Sequence, residues 1–263
     1  MSNNNTRVPE KNETGLLYNK LNFVATEAYK LLRTNLMFTL PDEQNCKVVG
    51  VTSSLRGEGK STTAINLSYT LAETGKKVLL VDADLRLPSV AKKMEIRSNP
   101  GLSNLIAGET TKQEAVKVWP DNKSWAILTA GDVPPNPTEM LGSAQMKRIL
   151  EELRAEFDYI IVDLPPVNIV SDAMVISPLL DGMIVIVREG YSERRELSNC
   201  IKQLELSGAK ILGFVMNQSN SDNTIYGRYK RSRYYKKLYK KHKNTGYYQK
   251  SPYASPYGHE GKK

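Results

Sequence analysis

Residues 46–62 read Cys46-Lys-Val-Val-Gly-Val-Thr52 and then Ser53-Ser-Leu-Arg-Gly-Glu-Gly-Lys-Ser-Thr62. The first seven form a mostly apolar, valine-rich run of strand length. Ser61 to Glu73 then carries apolar residues at helical spacing and is closed by Gly75. Strand, Gly-rich loop and helix, in that order, are the setting of a phosphate-binding loop. The loop fits G-x-x-x-x-G-K-[ST] except that Ser54 stands at the first glycine. Gly57 and Gly59, on either side of Glu58, let backbone N–H groups curl around a polyphosphate with no Cβ in the way. A helix that begins near Lys60 directs its positive end at the same anion. Lys60 is placed to reach the β and γ oxygens, and the Ser61 hydroxyl to ligate Mg²⁺. Residues Ser54 and Gly57 to Thr62 are therefore the expected phosphate contacts. A Gly-rich turn with a surface lysine is the plainer alternative, but it requires neither flanking element.

Outward from this loop the same alternation repeats. Lys77–Asp82, Trp125–Thr129, Tyr159–Asp163, Met183–Val187 and Lys210–Met216 read as further strands, with Cys46–Thr52 as the first. Thr138–Phe157, Ser171–Leu179 and Ser192–Ser207 read as helices between them. Short, nearly all-apolar strands separated by helices imply an α/β fold, a doubly wound and mostly parallel sheet covered on both faces. Ahead of it, Phe23 to Thr39 carries apolar residues at helical spacing, with Pro41-Asp42 as a stop. The spacing predicts a flexible lead over residues 1–20, one domain from about 21 to 220 that opens with a helix at about 22–40, and a separate tail over 221–263.

Two of the strands end in acid. Val78-Leu-Leu-Val-Asp82-Ala-Asp84 and Tyr159-Ile-Ile-Val-Asp163 place carboxylates at the C-terminal edge of a parallel sheet, where open α/β sheets bind ligands. Asp163 suits a Mg²⁺-holding role; Asp82 and Asp84, two residues apart, fall on one side if the strand continues. Aspartates after strands also serve as helix caps, a use that poorly explains three of them converging on one edge.

Charge is unevenly spread. From Tyr226 to the C-terminus there are 12 lysines and arginines against one acid, Glu260, whereas residues 1–225 hold 25 against 27. The same tail holds nine of the 14 tyrosines: Tyr226, Tyr229, Tyr234, Tyr235, Tyr239, Tyr247, Tyr248, Tyr253 and Tyr257. With Leu238 and, at its edge, Ile225 as its large aliphatics, it is expected to be disordered when free. His242 and His259 lack ligand spacing, and Trp119 and Trp125 read as packing. The chain's 263 residues contain no apolar run of about 18, so no membrane span is expected. A polar start without an apolar stretch excludes a secretory signal, and two distant cysteines, Cys46 and Cys200, exclude a disulfide framework; the expected location is cytoplasmic.

Together these motifs resemble those of the bacterial tyrosine autokinases, the BY-kinases. The resemblance rests on Gly57-Glu-Gly-Lys60-Ser-Thr62, on Asp82-x-Asp84-x-Arg86-x-Pro88 and on Asp163-Leu-Pro-Pro166. It also rests on Gly131-Asp-Val-Pro-Pro-Asn-Pro-Thr-Glu139 and the tyrosine-rich end. It spans about residues 22–220 and implies a P-loop NTPase-like kinase using ATP and Mg²⁺, with Lys60, Asp82, Asp84 and Asp163 catalytic and the tail tyrosines as phosphoacceptors. It further implies a role in capsular or extracellular polysaccharide synthesis and a transmembrane activator that holds the kinase at the inner face of the cell membrane. A cognate tyrosine phosphatase, a ring-like homo-oligomer and no nucleic-acid partner complete the implied set. Asn217 resembles the family's adenine-contacting position. Glu27, Lys30 and Arg33 match the family's E-x-x-R-x-x-R subunit contact, with Lys30 keeping the charge of the middle arginine but not its bidentate geometry. Leu55 stands where the related partition and division-site ATPases carry a lysine, which argues against that branch.

Tyrosine has a pKa near 10, so an attacking phenol must lose its proton; Asp82 is the first candidate to accept it or orient the hydroxyl, and Asp84 the second. The competing reading of the whole chain is a P-loop switch ATPase that binds DNA or membrane through its basic tail according to nucleotide state. Phe and Trp are absent from that tail. Stacking on a nucleic acid tolerates any aromatic ring, whereas phosphorylation requires the hydroxyl.

Overall fold

The computed structural model describes residues 16–17, 21–40 and 46–219; the tail tyrosines and histidines, and most of the N-terminal lead, lie outside them. The described part has the expected architecture. Seven strands form one sheet: β1 (Lys47–Ser53), β2 (Val78–Asp82), β3 (Val116–Trp119), β4 (Asn122–Leu128), β5 (Tyr159–Asp163), β6 (Gly182–Arg188) and β7 (Ile211–Asn217). Their order is β3-β4-β2-β5-β1-β6-β7, parallel throughout except that β3 runs antiparallel to β4. β1, β2 and β5 are buried along their whole length, which is why they read as unbroken apolar runs rather than as alternations.

Each face of the sheet is covered. On one side α1 (Phe23–Thr39), α2 (Lys60–Ala72) and α3 (Val90–Met94) close over Val49, Val51, Leu80, Ile127 and Ile161. On the other lie α4 (Leu102–Ala107), α5 (Lys112–Ala115), α6 (Pro137–Leu141), α7 (Ala144–Arg154), α8 (Asp172–Ile176) and α9 (Arg194–Leu206). That second core contains Val48, Leu79, Leu128, Ile160, Val162 and Val185. Trp125 is fully enclosed in the first core, donates from its indole nitrogen to Ser68 Oγ at 3.0 Å, and meets Tyr69 edge-on, so its role is packing.

Three expectations change in detail. Thr138–Phe157 is not one helix but two, because Gly142 ends α6 and Ser143 starts α7 by accepting from Met146 N at 3.1 Å. Ser171–Leu179 is α8 followed by a single 3₁₀ turn, Ser177–Leu179. β3 was not expected at all: it is a half-buried edge strand with Val118 facing out, and without two enclosed faces it leaves no apolar run to find.

Both cysteines are buried, Cys46 just ahead of β1 and Cys200 within α9. Burial pushes both thiols up to about 12. At pH 8 the folded chain should therefore give no rapid reaction with a thiol reagent, while denaturant should release two reactive thiols. Fast native labelling of either cysteine would contradict this packing.

Candidate active site

The C-terminal ends of β1, β2 and β5 lie side by side, with Asp82 directly opposite Asp163 in the parallel register. The chain leaving β1 turns through the glycine loop. Gly57 and Gly59 both take positive φ, +79° and +97°, a region that costs a side-chain-bearing residue strain. At Gly59 the space is also closed: a Cβ would sit 1.9 Å from Asn217 Nδ2. Ser54 has no such requirement, which explains why serine serves where a glycine is usual.

Glu58 organises the loop from inside. Its carboxylate is fully buried and accepts from Ser54 Oγ at 2.9 Å, from Leu55 N at 2.7 Å and from the Ser192 hydroxyl. The side chains of Ser54 and Glu58 are thus turned inward, and their expected contribution to a ligand falls to the loop backbone. α2 begins at Lys60 with Gly59 as its N-cap, no capping side chain and no acid in its first turn. Thr63 N donates to Gly59 O and closes the first turn of the helix. None of the N–H groups from Arg56 to Thr62 donates to a backbone carbonyl at close hydrogen-bonding geometry among the described residues. An array of open donors at the positive end of a helix is what an anion requires.

Beside these donors stands the acidic group. Lys60 Nζ pairs with Asp84 Oδ2 at 2.9 Å and lies 3.8 Å from Asp163 Oδ1. Burial would lower the Lys60 pKa, but Asp163 and Asp84 outweigh it and hold it above its ordinary value. Asp82 accepts from Asp84 N at 3.2 Å, Ser89 N at 3.2 Å and Val90 N at 3.0 Å, so it also steadies the start of α3. Burial, and then Asp163 beside it, push its carboxyl up to about 8, so it retains a proton near neutrality. Asp163 is wholly buried and raised by the same desolvation, against the pull of Lys60 and of the nearby Ser61 hydroxyl, and neither of its oxygens has a partner within hydrogen-bonding geometry.

That orphaned carboxylate tests the site's fit to a cation. No three His, Cys, Asp or Glu side chains among the described residues form an all-protein metal cage. Mg²⁺ does not need one: it is commonly held by one or two carboxylates together with substrate phosphates. Asp163 and Ser61, next to the open N–H groups, match that partial coordination.

Other predicted residues have definite places. Thr62 lies on the first turn of α2. Asn217 ends β7 and donates from Nδ2 to Glu58 O at 2.9 Å, so it meets the glycine loop directly. Glu27 and Lys30 pair with each other on α1 at 2.8 Å, and Arg33 donates to Thr70 O of α2 at 2.9 Å, away from the site. The nine tail tyrosines lie outside the described residues. Sequence reading assigned no role to the rest of the frame. Arg86 Nε bonds Asp172 Oδ2 at 2.9 Å while its Nη2 bonds Thr138 Oγ1 at 2.8 Å, tying the Asp82–Pro88 loop to α8 and α6. Arg188, Tyr191 and Ser192, from the β6–α9 turn, touch the glycine loop across more than 130 residues of sequence.

The arrangement has known relatives. An AAA domain model matches residues 46–212. The tyrosine-protein kinase YwqD of Bacillus subtilis (strain 168) is 38% identical over 205 residues, 78% of this chain and 86% of that one. The crystal structure of the chimerical protein CapA2B2 matches with a TM-score of 0.74 and 31% identity over 80% of this chain and 92% of that one. The septum site-determining protein MinD from Pyrococcus horikoshii OT3 shares the fold at 24% identity and a TM-score of 0.57, over 69% of this chain and 75% of that one. The chain belongs to the bacterial tyrosine-protein kinases and is itself a tyrosine-protein kinase on a P-loop nucleotide-binding fold.

A buried carboxylate that lacks a hydrogen-bond donor destabilises the chain that carries it. Asp163→Asn should raise the unfolding free energy of the ligand-free protein by about 1–3 kcal/mol while abolishing Mg²⁺-dependent phosphorylation. Parallel denaturant melts and kinase assays check this, and a less stable variant would contradict it.

Proposed function

We propose that the protein transfers the γ-phosphoryl group of ATP to its own C-terminal tyrosines, one copy acting on another. We further propose that this cycle regulates capsular or extracellular polysaccharide synthesis and export. The observation that carries the proposal is the juxtaposition of an open backbone N–H cradle, Lys60 and the orphaned Asp163. One side of the site suits the oxygens of a polyphosphate and the other suits its counter-cation.

In this reading the N–H groups of Gly57 to Thr62 and the Lys60 ammonium hold the phosphates, and Ser61 and Asp163, with Asp82, hold Mg²⁺. Bound there, Mg²⁺ would neutralise charge on the β and γ oxygens. Phosphoryl transfer depends on such positioning more than on covalent help. Asp82 holds its own proton near neutral pH in the ligand-free chain; a cation that neutralised Asp163 would remove one cause of that rise and leave Asp82 able to accept the phenol's proton or orient its hydroxyl. Asp84, paired with Lys60, keeps the ammonium in place and is the second candidate.

Copies would meet through α1. Val24, Leu31 and Phe38, spaced seven residues apart along it, are 43%, 49% and 86% exposed, beside the Glu27–Lys30 pair. No helix among the described residues is long and apolar enough to cross a membrane. We accordingly assign activation, and placement at the inner face of the cell membrane, to a separate transmembrane partner, and reversal to a tyrosine phosphatase. The tail supplies the substrate and an electrostatic device. Each phosphotyrosine adds about −1.5 to −2 charges, so roughly six or seven would cancel the tail's positive excess.

Incubation of the purified chain, with its activating membrane segment present, in Mg-ATP should add whole phosphates by mass. These should map between Tyr226 and Tyr257 and be lost in Lys60→Met. ATP hydrolysis without any increment would instead favour a switch ATPase. Association between copies should weaken as phosphates accumulate and as salt rises; sedimentation that responds to neither would dismiss the electrostatic cycle.

A further inference from the structure

In the turn from β1 into α2, every carbonyl from Ser53 to Gly59 accepts a hydrogen bond. Val167 N and Asn168 N reach Ser53 O and Ser54 O at 2.9 and 3.3 Å, and Ser53 Oγ reaches Leu55 O at 2.7 Å. The next three are held by side chains from the end of β6, the turn after it and the end of β7. Tyr191 Oη donates to Arg56 O at 3.1 Å, Arg188 Nη1 to Gly57 O at 3.1 Å and Asn217 Nδ2 to Glu58 O at 2.9 Å. Thr63 N takes Gly59 O at 2.9 Å.

A trans peptide is planar, with its C=O and N–H pointing in opposite directions. Fixing the carbonyls of Arg56, Gly57 and Glu58 toward β6 and β7 therefore aims the N–H groups of Gly57, Glu58 and Gly59 the other way, where the polyphosphate is proposed to lie. Without those ties, two glycines at positive φ would leave the loop free to rotate its peptides. The β6–α9 turn that supplies two of the ties is itself braced. Arg188 N donates to Ser192 Oγ at 2.8 Å, Ser192 reaches Glu58, and the Arg188 guanidinium lies 4.9 Å from the Tyr191 ring centre.

We propose that Arg188, Tyr191 and Asn217 are positioning residues for nucleotide binding. They act on the phosphates through the loop's carbonyls rather than by touching the ligand, and Asn217 thereby has a role independent of any base contact. The proposal rests on the nucleotide reading of the site. Such ties order the cradle before the ligand arrives, so they strengthen ground-state and transition-state binding alike and act on KM rather than kcat.

Tyr191→Phe is the clean test, because it keeps the ring against Arg188 and removes one donor. Its KM for Mg-ATP should rise about three- to tenfold, with kcat and thermal stability near those of the unaltered chain. Binding of ADP, and of Mg-tripolyphosphate, which has no base, should weaken by the same factor. Arg188→Met should do likewise, and Arg188→Lys, which restores a donor, should recover part of the loss. Loss of ADP binding with tripolyphosphate unaffected would mean contact with the base and overturn the proposal, as would unchanged binding of both. If the unaltered chain binds neither probe, the nucleotide reading itself fails and this inference with it.

Discussion

Three carboxylates share one ammonium at the edge of the sheet, and the rest of the site follows from that imbalance. Asp82, Asp84 and Asp163 are nearly or wholly out of water, and among the described residues Lys60 is the cation that pairs with Asp84 and Asp163. Buried charge in such excess must be neutralised by a proton or a cation. In the ligand-free chain Asp82 takes the first course, and Asp163, without a hydrogen-bond donor, is the group we propose for the second. A few ångströms of chain away, the loop presents the opposite deficit, an array of N–H groups without close backbone acceptors among the described residues. Neither a free cation nor a free anion answers both halves, whereas a metal–polyphosphate pair does.

The sheet makes this coincidence possible. Parallel strands deliver all their C-terminal ends to one edge, so β1, β2 and β5 bring the glycine loop, Asp82 and Asp163 together although they are spread over more than 100 residues of sequence. Arg86 extends the frame: by joining Asp172 and Thr138 it fixes the loop after β2 to α8 and α6. Asp172 is itself fully buried, so losing Arg86 would leave its charge with the Thr138 hydroxyl and no cation. The position of Asp84, and through it of Lys60, is thus tied to α8 and α6 through Arg86.

What could be read from the sequence was local or periodic. Strands enclosed on both faces announce themselves as valine and isoleucine runs, and the glycine loop carries its backbone demands in Gly57 and Gly59. The break at Gly142-Ser143 was written in the sequence too, as a helix stop followed by a cap, but was submerged in a longer apolar rhythm. β3 left no comparable trace. It pairs on one side only, and Lys117 within it reaches inward to Pro100 O and Thr129 Oγ1 at 2.8 Å, an arrangement that hydropathy reads as loop. Arg188 and Tyr191 were out of reach for another reason: their meaning lies in which carbonyls they meet, and those lie beyond any local pattern.

Asp82 shows why a capping role and the proposed chemical one need not exclude each other. A carboxylate after a strand can cap a helix or serve a ligand, and here Oδ2 accepts the first N–H groups of α3. Those bonds favour the ionised form, while enclosure and Asp163 favour the neutral one, and the second pair prevails. The helix-steadying contacts therefore hold the Asp82 carboxyl lower than burial alone would, nearer the range in which the proposed proton acceptor works at pH 7. Removing the cap would not free the residue for chemistry. It would push the carboxyl higher still and hold the proton more firmly, so the structural use of Asp82 is part of what suits it to the chemical one.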